Sequence, residues 1–229
     1  MSQPEFSLDA LFEALAEAPP KSRGGGRAIL FIAARGGEGV STIVRAAARA
    51  SADRTTYCID LDLRRNAMPR AFADEGPPLG PRIDGKLSGT TFYRLLTAEG
   101  APIHELTPAF CYHRLGRSRV YVGAFDGRAT PRDGRVLISS KPDYWNAARA
   151  GGATVILDAP ALQRSAVALR VAQHMDGVVL VVGDEAGSAP AALAAKAQLE
   201  AAGAHLLGLV YARASAPVMA MDRLLRSAG

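Results

Sequence analysis

Residues 27–42 read RAILFIAARGGEGVST. The apolar run over 28–33 predicts a buried central strand, because residues on both of its faces are hydrophobic. Glycines follow the strand, and Ser41 and Thr42 open a helix predicted over 41–51. Small residues between a strand and a helix let backbone N–H groups point at a phosphate, and the helix adds its positive dipole end. The stretch therefore predicts a phosphate-binding loop.

One position departs from the usual pattern of such loops. The pattern has Lys immediately before the hydroxyl residue, whereas Val40 precedes Ser41 here. That ammonium contacts the β- and γ-phosphates and offsets charge during phosphoryl transfer. A charge-assisted hydrogen bond contributes about 1.5–3 kcal/mol, so its loss weakens binding roughly 10- to 150-fold. We expect ATP or ADP with Mg²⁺ to be held weakly, and phosphoryl transfer to suffer more than binding.

The second half of the chain alternates apolar strands with helices. The predicted order is strand 153–158, helix 163–174, strand 177–182, helix 188–202, strand 205–211 and helix 217–227. Such alternation is typical of βαβ units, so we expect an α/β fold with a mostly parallel central sheet flanked by helices. Residues 66–120 give weaker patterns. There and just beyond we predict a helix over 91–98, a strand over 119–124 and a helix over 140–150.

Three carboxylates lie at the ends of predicted strands. Asp60 and Asp62 belong to the apolar run 57–63, and Asp158 ends the strand 153–158. The carboxyl ends of parallel strands form the ligand-binding edge of such sheets. We therefore expect these acids to be catalytic or vestigially catalytic, with Ser41, Asp60 and Asp158 as Mg²⁺ ligands. The alternatives are a solvated turn at residues 60–62 and a purely structural hydrogen bond at Asp158.

Taken together, these motifs resemble those of the MinD/ParA superfamily of P-loop NTPases. Residues 35–42 are similar to its deviant Walker A loop, with Arg35 and Val40 at the two places where that loop has lysine. CIDLDLRR at 58–65, LISS at 137–140 and VILDAP at 155–160 resemble motifs of the bacterial tyrosine kinases that partner polysaccharide co-polymerases. The resemblance covers residues 27–213 and implies a nucleotide held by Arg35, Gly36, Gly37, Glu38, Gly39, Val40, Ser41 and Thr42.

The departures from the kinase pattern point towards lost activity. Ala159 follows the Walker B aspartate where the family has Thr or Ser, and Ala212 stands where it has the Asn that faces adenine. The last 18 residues contain no Tyr, whereas the kinases end in a tyrosine cluster. The resemblance thus implies a pseudokinase with little or no activity in exopolysaccharide biosynthesis and export, of the capsule or holdfast (HfsB-like) type. Its implied partner is a membrane polysaccharide co-polymerase (Wzz/Wzc-like), and a homo-oligomer is open.

A second interpretation comes from another class of protein. Some positioning or scaffold proteins of the CpaE/TadZ type also lose the loop lysine, but this group usually carries a receiver-like domain before the first strand. A DNA-partitioning ATPase is disfavoured by Val40, because such proteins depend on ATP-driven dimers. The residues 60–65 and 137–140 favour the kinase-like interpretation, and the positioning or scaffold protein is the alternative.

Composition bounds the remaining possibilities. The chain has 27 basic and 22 acidic residues, a net charge of +5, but no aromatic-plus-basic run, so we expect no nucleic-acid partner. No long apolar run or secretory signal is present, so we expect a cytoplasmic protein, peripheral to the inner membrane through its partner. We expect residues 1–26 to form an amphipathic helix over 7–18 and a Gly/Pro linker, and 27–229 to form the nucleotide-binding domain. The helix 7–18 is predicted either to dock on a partner or to pack on its own domain.

Overall fold

A computed structural model of the chain describes Glu13, Lys21, and residues 24–104 and 108–212. Of the helix predicted over 7–18, only Glu13 is described, with helical backbone and an exposed side chain. The helix predicted over 217–227 lies outside the described residues. Among the helices that the structure describes, none is long and apolar enough to cross a bilayer.

The described residues form an eight-stranded sheet and a two-stranded one. The strands are β1 (Arg27–Ala33), β2 (Thr56–Asp60), β3 (Leu79–Asp84), β4 (Tyr93–Leu96), β5 (Phe110–Leu115), β6 (Val120–Phe125), β7 (Arg135–Ile138), β8 (Thr154–Asp158), β9 (Gly177–Val182) and β10 (Leu206–Tyr211). The large sheet has the order β10-β9-β1-β8-β2-β6-β5-β3, and β4 pairs with β7. The first six strands in this order, from β10 to β6, run parallel to one another. The last two, β5 and β3, are antiparallel and form one edge of the sheet.

Helices cover both faces of the large sheet. They are α1 (Val40–Ala50), α2 (Met68–Glu75), α3 (Asp143–Ala150), α4 (Val167–Val171) and α5 (Ser188–Ala201). Apolar residues of α1 and α2 pack with Phe31 and Val179 on one face. Those of α3, α4 and α5 pack with Leu30 and Leu180 on the other. Strand β1 contributes side chains to both cores, because successive side chains point to opposite faces of the sheet. The predicted α/β fold with a mostly parallel sheet is thereby confirmed.

A buried polar cluster joins the amino ends of the strands to α3. Asp176, immediately before β9, accepts hydrogen bonds from Ala28 N at 2.7 Å and from Lys21 N at 2.9 Å. It also forms an ion pair with Arg149 Nε at 2.7 Å, and both side chains are almost fully buried. The Arg149 guanidinium further donates to Asn146 Oδ1 and to the His174 carbonyl. The buried Asp176 carboxylate is paired with Arg149 and accepts two backbone hydrogen bonds, so its charge is compensated. The cluster therefore holds α3 in place against the amino ends of the strands.

An aromatic cluster docks the two-stranded sheet on α3. The Phe92 ring lies 4.8 Å from Phe110, 5.1 Å from Tyr144 and 5.6 Å from Trp145, measured between centroids. The Tyr144 hydroxyl lies 2.5 Å from that of Tyr112 and donates to the Gly85 carbonyl. Rings at these separations and tilts attract each other beyond their area burial. The segment between β2 and β8 is therefore part of the core.

Most helices and strands that flank the loop after β1 follow the predicted bounds within about two residues, but the helix predicted over 91–98 is wrong. Tyr93–Leu96 is strand β4, in which Tyr93 and Leu95 are buried while Arg94 between them is exposed. This is the two-residue period of a strand. The local sequence of this segment does not distinguish a helix from a strand, and pairing with β7 makes it a strand.

Two further bounds are corrected. The strand predicted within the apolar run 57–63 ends at Asp60, where the Asp60 carboxylate accepts from the N–H of Asp62 and turns the chain. The helix predicted over 163–174 is reduced to α4 and a 3₁₀ turn over Ala172–His174. Residues 160–166 instead run past the loop that follows β1, with Leu162 and Gln163 N donating to Ala33 and Ala34 O.

Candidate phosphate-binding site

The loop between β1 and α1 depends on two glycines in left-handed conformation. Gly37 has φ +88° and Gly39, which caps α1, has φ +86°. A Cβ on Gly37 would meet nothing within 4 Å, whereas a Cβ on Gly39 would lie 3.1 Å from that of Ala212. Gly36, Ser41 and Thr42 are exposed around this opening. The first turn of α1 thus faces an open, glycine-lined cradle, as a bound phosphate requires.

Glu38 turns its side chain beneath the loop. The carboxylate is buried, and its Oε2 accepts a hydrogen bond from Arg35 N at 3.1 Å. Its Cγ would lie 3.2 Å from a Cβ on Gly183, the residue that follows β9. The carboxylate therefore braces the loop from inside, and only the Glu38 backbone is available to a ligand.

The cation expected at the start of the loop is already engaged. The Arg35 guanidinium donates to the Ala186 carbonyl at 3.0 Å and lies 3.6 Å from the Glu185 carboxylate. Both partners belong to the loop between β9 and α5. Val40, at the usual lysine position, is half-buried against the core that α1 shares with the sheet. Neither residue holds a free positive charge over the cradle.

Two of the predicted acids face each other at the carboxyl edge of the sheet. Asp60 and Asp158 are register partners on β2 and β8, and they are 7% and 6% exposed. The Ser41 hydroxyl lies close enough to the Asp158 carboxylate to favour its charged form. Asp60 accepts from Asp62 N at 2.8 Å and from Ala67 N at 3.1 Å. The structure thus brings Ser41, Asp60 and Asp158 together beside the loop.

Burial changes the protonation of both acids. It raises the pKa of Asp158 to about 7, opposed by the Ser41 hydrogen bond and reinforced by the Asp60 charge. It raises the pKa of Asp60 to about 6, opposed by the N–H groups of Asp62 and Ala67 and reinforced by the Asp62 charge. Two paired carboxylates whose charge is disfavoured by burial are stabilised by a cation. Among the described residues, no group of three or more His, Cys, Asp or Glu side chains is placed to hold a metal. Mg²⁺ in nucleotide sites uses one or two carboxylates together with phosphates, so this donor set suits it.

The Asp62 side chain does not join the other two acids. Its carboxylate is half-buried, lies 3.0 Å from Arg164 Nη2 and accepts from Arg65 N at 3.3 Å. A Cβ on Gly36 would be 3.9 Å from Arg164 Cδ. Arg164 therefore lies between the loop and Asp62. No local sequence pattern predicts a role for Arg164, because its contact with Asp62 joins residues 102 positions apart.

Comparison with known proteins establishes the fold class. No protein-family model matches the chain, and no curated protein matches it. The VpsO kinase domain is similar in structure, at 18% identity and TM-score 0.58, over 91% of this chain and 93% of that one. The kinase domain of the Escherichia coli tyrosine kinase ETK is similar at 19% identity and TM-score 0.54, over 85% and 71%. MinD from Pyrococcus horikoshii, complexed with Mg-ADP, is similar at 18% identity and TM-score 0.57, over 86% and 76%. The chain has the P-loop NTPase fold.

Proposed function

We propose that this protein is a kinase-like component of exopolysaccharide biosynthesis and export, of the capsule or holdfast type, that binds nucleotide but transfers phosphate poorly or not at all. One observation carries the proposal. The glycine cradle and the Ser41, Asp60 and Asp158 group are intact, whereas Val40 occupies the lysine position. The similarity to the ETK and VpsO kinase domains supports the kinase-like part.

The residues divide the work of nucleotide binding between them. Backbone N–H groups at Gly37, Gly39 and the first turn of α1 would hold the phosphates. Ser41, Asp158 and Asp60 would hold Mg²⁺, which neutralises phosphate charge when it is bound. Because burial penalises the two negative charges, the carboxylates themselves gain stability when a cation neutralises them.

Weak catalysis follows from the missing cation. Charge that develops on the transferring phosphoryl group must be met by fixed donors, and losing one costs more in the transition state than in binding. Arg35 is held by Ala186 and Glu185, and Arg164 is held by Asp62. Either arginine would have to leave its partner to replace the lysine. A nucleotide-binding pseudokinase is the function that this arrangement favours.

The partner and location follow from the same proposal. A membrane polysaccharide co-polymerase would recruit the protein to the inner membrane from the cytoplasm, and self-association is open. The division into residues 1–26 and a nucleotide-binding domain over 27–229 belongs to this proposal as well.

A positioning or scaffold role is the second candidate. The similarity to MinD favours it, since that protein shares the fold without being a kinase domain. The two candidate functions differ in the partner protein that each requires. Capture of a co-polymerase's cytoplasmic segment by the purified protein supports the first, whereas capture of a pilus-assembly component instead supports the second.

The first test is calorimetric titration of ATP and ADP, with and without Mg²⁺. We expect a Kd of tens to hundreds of micromolar, tightened roughly 10- to 150-fold by Val40→Lys. Val40→Leu is the matched control, since it changes the same half-buried position without adding charge, and should leave Kd unchanged. Absence of binding at millimolar nucleotide by the wild type and by a folded Val40→Lys variant would overturn nucleotide binding.

Phosphate transfer is tested separately. With Mg-ATP and a tyrosine-rich acceptor peptide, the wild type should label neither itself nor the peptide above background. Labelling at a rate comparable to that of an active tyrosine kinase domain would contradict the pseudokinase assignment while leaving the nucleotide site intact.

A further inference from the structure

The chain that follows β8 runs directly beside the loop between β1 and α1. Gln163 N donates to the Ala34 carbonyl at 3.1 Å, at the start of that loop. Arg164 N donates to the Ala161 carbonyl at 2.9 Å, so Arg164 lies in a tight turn. The backbone that carries the Arg164 side chain is therefore held in a fixed position next to the loop.

Two polar side chains of this chain lie against Gly36 of the glycine cradle. A Cβ on Gly36 would be 3.6 Å from Gln163 Nε2 and 3.9 Å from Arg164 Cδ. Because Gly36 has no side chain, nothing of its own separates these groups from a ligand in the cradle. The Arg164 guanidinium extends from that Cδ, so a cation is within one side chain's reach of the cradle.

The Arg164 guanidinium is held by a single contact. Its Nη2 donates to Asp62 Oδ2 at 3.0 Å, and among the described residues its Nε and Nη1 have no hydrogen-bond partner. The Arg164 side chain is 44% exposed, and ion pairs at such positions contribute little to stability. Asp62 keeps a second contact without Arg164, since its Oδ1 accepts from Arg65 N at 3.3 Å. The pair of Arg164 and Asp62 can therefore open at small cost.

Arg35, the other arginine beside the loop, is fixed more firmly. Its guanidinium donates to the Ala186 carbonyl at 3.0 Å and lies 3.6 Å from the Glu185 carboxylate. A Cβ on Gly187 would lie 3.6 Å from Arg35 Nη1, so the side chain packs along the loop between β9 and α5. Moving Arg35 would break both of its contacts and separate the two loops. Arg164 is the better candidate for a cation that moves to a ligand.

We propose that Arg164 leaves Asp62 when a phosphate group enters the glycine cradle, and that it donates to that phosphate. It thereby supplies part of the charge that a lysine at the position of Val40 would supply. A phosphate competes well with Asp62, because it carries more charge and accepts a planar guanidinium at two oxygens. Asp62 holds the arginine while the cradle is empty. The inference rests on the proposed function, since the ligand is a nucleoside polyphosphate, and it names the residue that recognises the charge of that ligand.

Calorimetric titration of the full chain with Mg-ATP tests the proposal. Arg164→Ala should weaken binding about tenfold, because a charge-assisted hydrogen bond to phosphate is lost. Arg164→Lys keeps the charge and should recover part of that loss. Arg170→Ala is the matched control, since it removes another exposed arginine from the same stretch of chain, in α4, and should change Kd little.

A double-variant cycle detects the release from Asp62. In the wild-type background Asp62→Asn should tighten Mg-ATP binding for two reasons: no ion pair has to open, and negative charge near the phosphate is removed. In the Arg164→Ala background only the second reason remains, so the gain should be smaller by about two- to fivefold. An equal gain in both backgrounds would overturn the release of Arg164.

A purely structural role of Arg164 would give a different result. It would lower the Tm of the unliganded Arg164→Ala variant and leave the salt dependence of Kd as in the wild type, and this outcome would overturn the inference. We expect the unliganded Tm to be unchanged. We also expect the Kd of the wild type to rise more steeply than that of Arg164→Ala between about 50 and 500 mM NaCl, because exposed charges are screened.

The inference and the proposed function fail in different ways. The same Kd for Arg164→Ala and the wild type would overturn the inference and leave nucleotide binding intact. Binding by Val40→Lys but not by the wild type would also overturn it, since Arg164 would then supply no effective charge. Absence of binding by the wild type and by a folded Val40→Lys variant would overturn both.

Discussion

At the candidate site, individual residues set both the chemistry and its cost. Asp60 and Asp158 are neighbours on adjacent strands, buried, and without a basic side chain bonded to either in the described chain. The folded pKa of Asp158, about 7, exceeds the value of about 3.9 in an unfolded chain. The folded state therefore binds the proton more tightly, and the free energy of unfolding falls as pH rises from about 4 to about 7.

Asp158→Asn should remove that dependence. The amide oxygen can still accept from Ser41, but it carries no charge to bury. In magnesium-free buffer at pH 8 we expect stabilisation on the order of 2 kcal/mol, or a Tm higher by about 4–8 °C, with little change at pH 4. Asp133→Asn is the control, because this exposed carboxylate has no ion pair among the described residues, and it should change Tm little at either pH. A Tm difference for Asp158→Asn that is the same at pH 4 and pH 8 would contradict the assignment.

The two loop glycines can be distinguished by substitution. Gly37→Ala meets only the left-handed backbone penalty, about 1–2 kcal/mol. Gly39→Ala meets the same penalty and also the Ala212 methyl at 3.1 Å. We expect its Tm to be lower than that of Gly37→Ala by a further 2–4 °C, measured by circular dichroism. Ala212→Gly should recover that difference in the Gly39→Ala background only. Equal losses in the two single variants would rule out the contact.

At the scale of the elements, the buried ion pair of Arg149 and Asp176 holds α3 to the amino end of β9. Asp176→Asn leaves the Arg149 guanidinium buried without its counter-charge, so we expect a loss of about 3–5 kcal/mol and a Tm lower by roughly 6–20 °C. Glu75→Gln is the control. It weakens the exposed contacts of α2 with Arg45 and Arg49 and should cost about 1 kcal/mol or less. Calorimetric unfolding that gave similar losses for both would contradict the distinction.

The sequence specifies some elements better than others. Strands β1, β8 and β9 are apolar on both faces, and this local pattern alone predicts them. Strand β4 is four residues long and alternates, and β3 is exposed along most of its length. Such strands exist because a partner strand pairs with them, which a local pattern does not reveal. The same holds in the site, where the loop and acids follow from motifs but Arg164 depends on a distant contact.

Across the molecule, stability should decrease from the parallel strands towards the antiparallel edge. Strand β9 is buried throughout and β1 is buried after Arg27, whereas β3 is mostly exposed and contains Pro81. In native-state hydrogen exchange we expect amides of β1, β8 and β9 to open only with global unfolding, and those of β3 to exchange at least a hundredfold faster. Uniform protection across all eight strands would contradict this gradient.

The overall topology was only partly predictable. A mostly parallel sheet follows from alternating strands and helices, but the addition of β5 and β3 in the opposite direction does not. That edge lies within the region of weak pattern, where turns such as Gly76-Pro77-Pro78 interrupt every run. Its order arises from the ladder of β5 on β6 and from the rings around Phe92.

The same ring cluster gives the protein a built-in optical reporter. Trp145 is the single tryptophan, is fully buried, and lies against Phe92 of the two-stranded region and Tyr144 of its own helix. Its emission should be blue-shifted in the folded protein and should redden whenever that region separates from α3. Intrinsic fluorescence can thus follow this joint in real time, without a dye and without altering a residue.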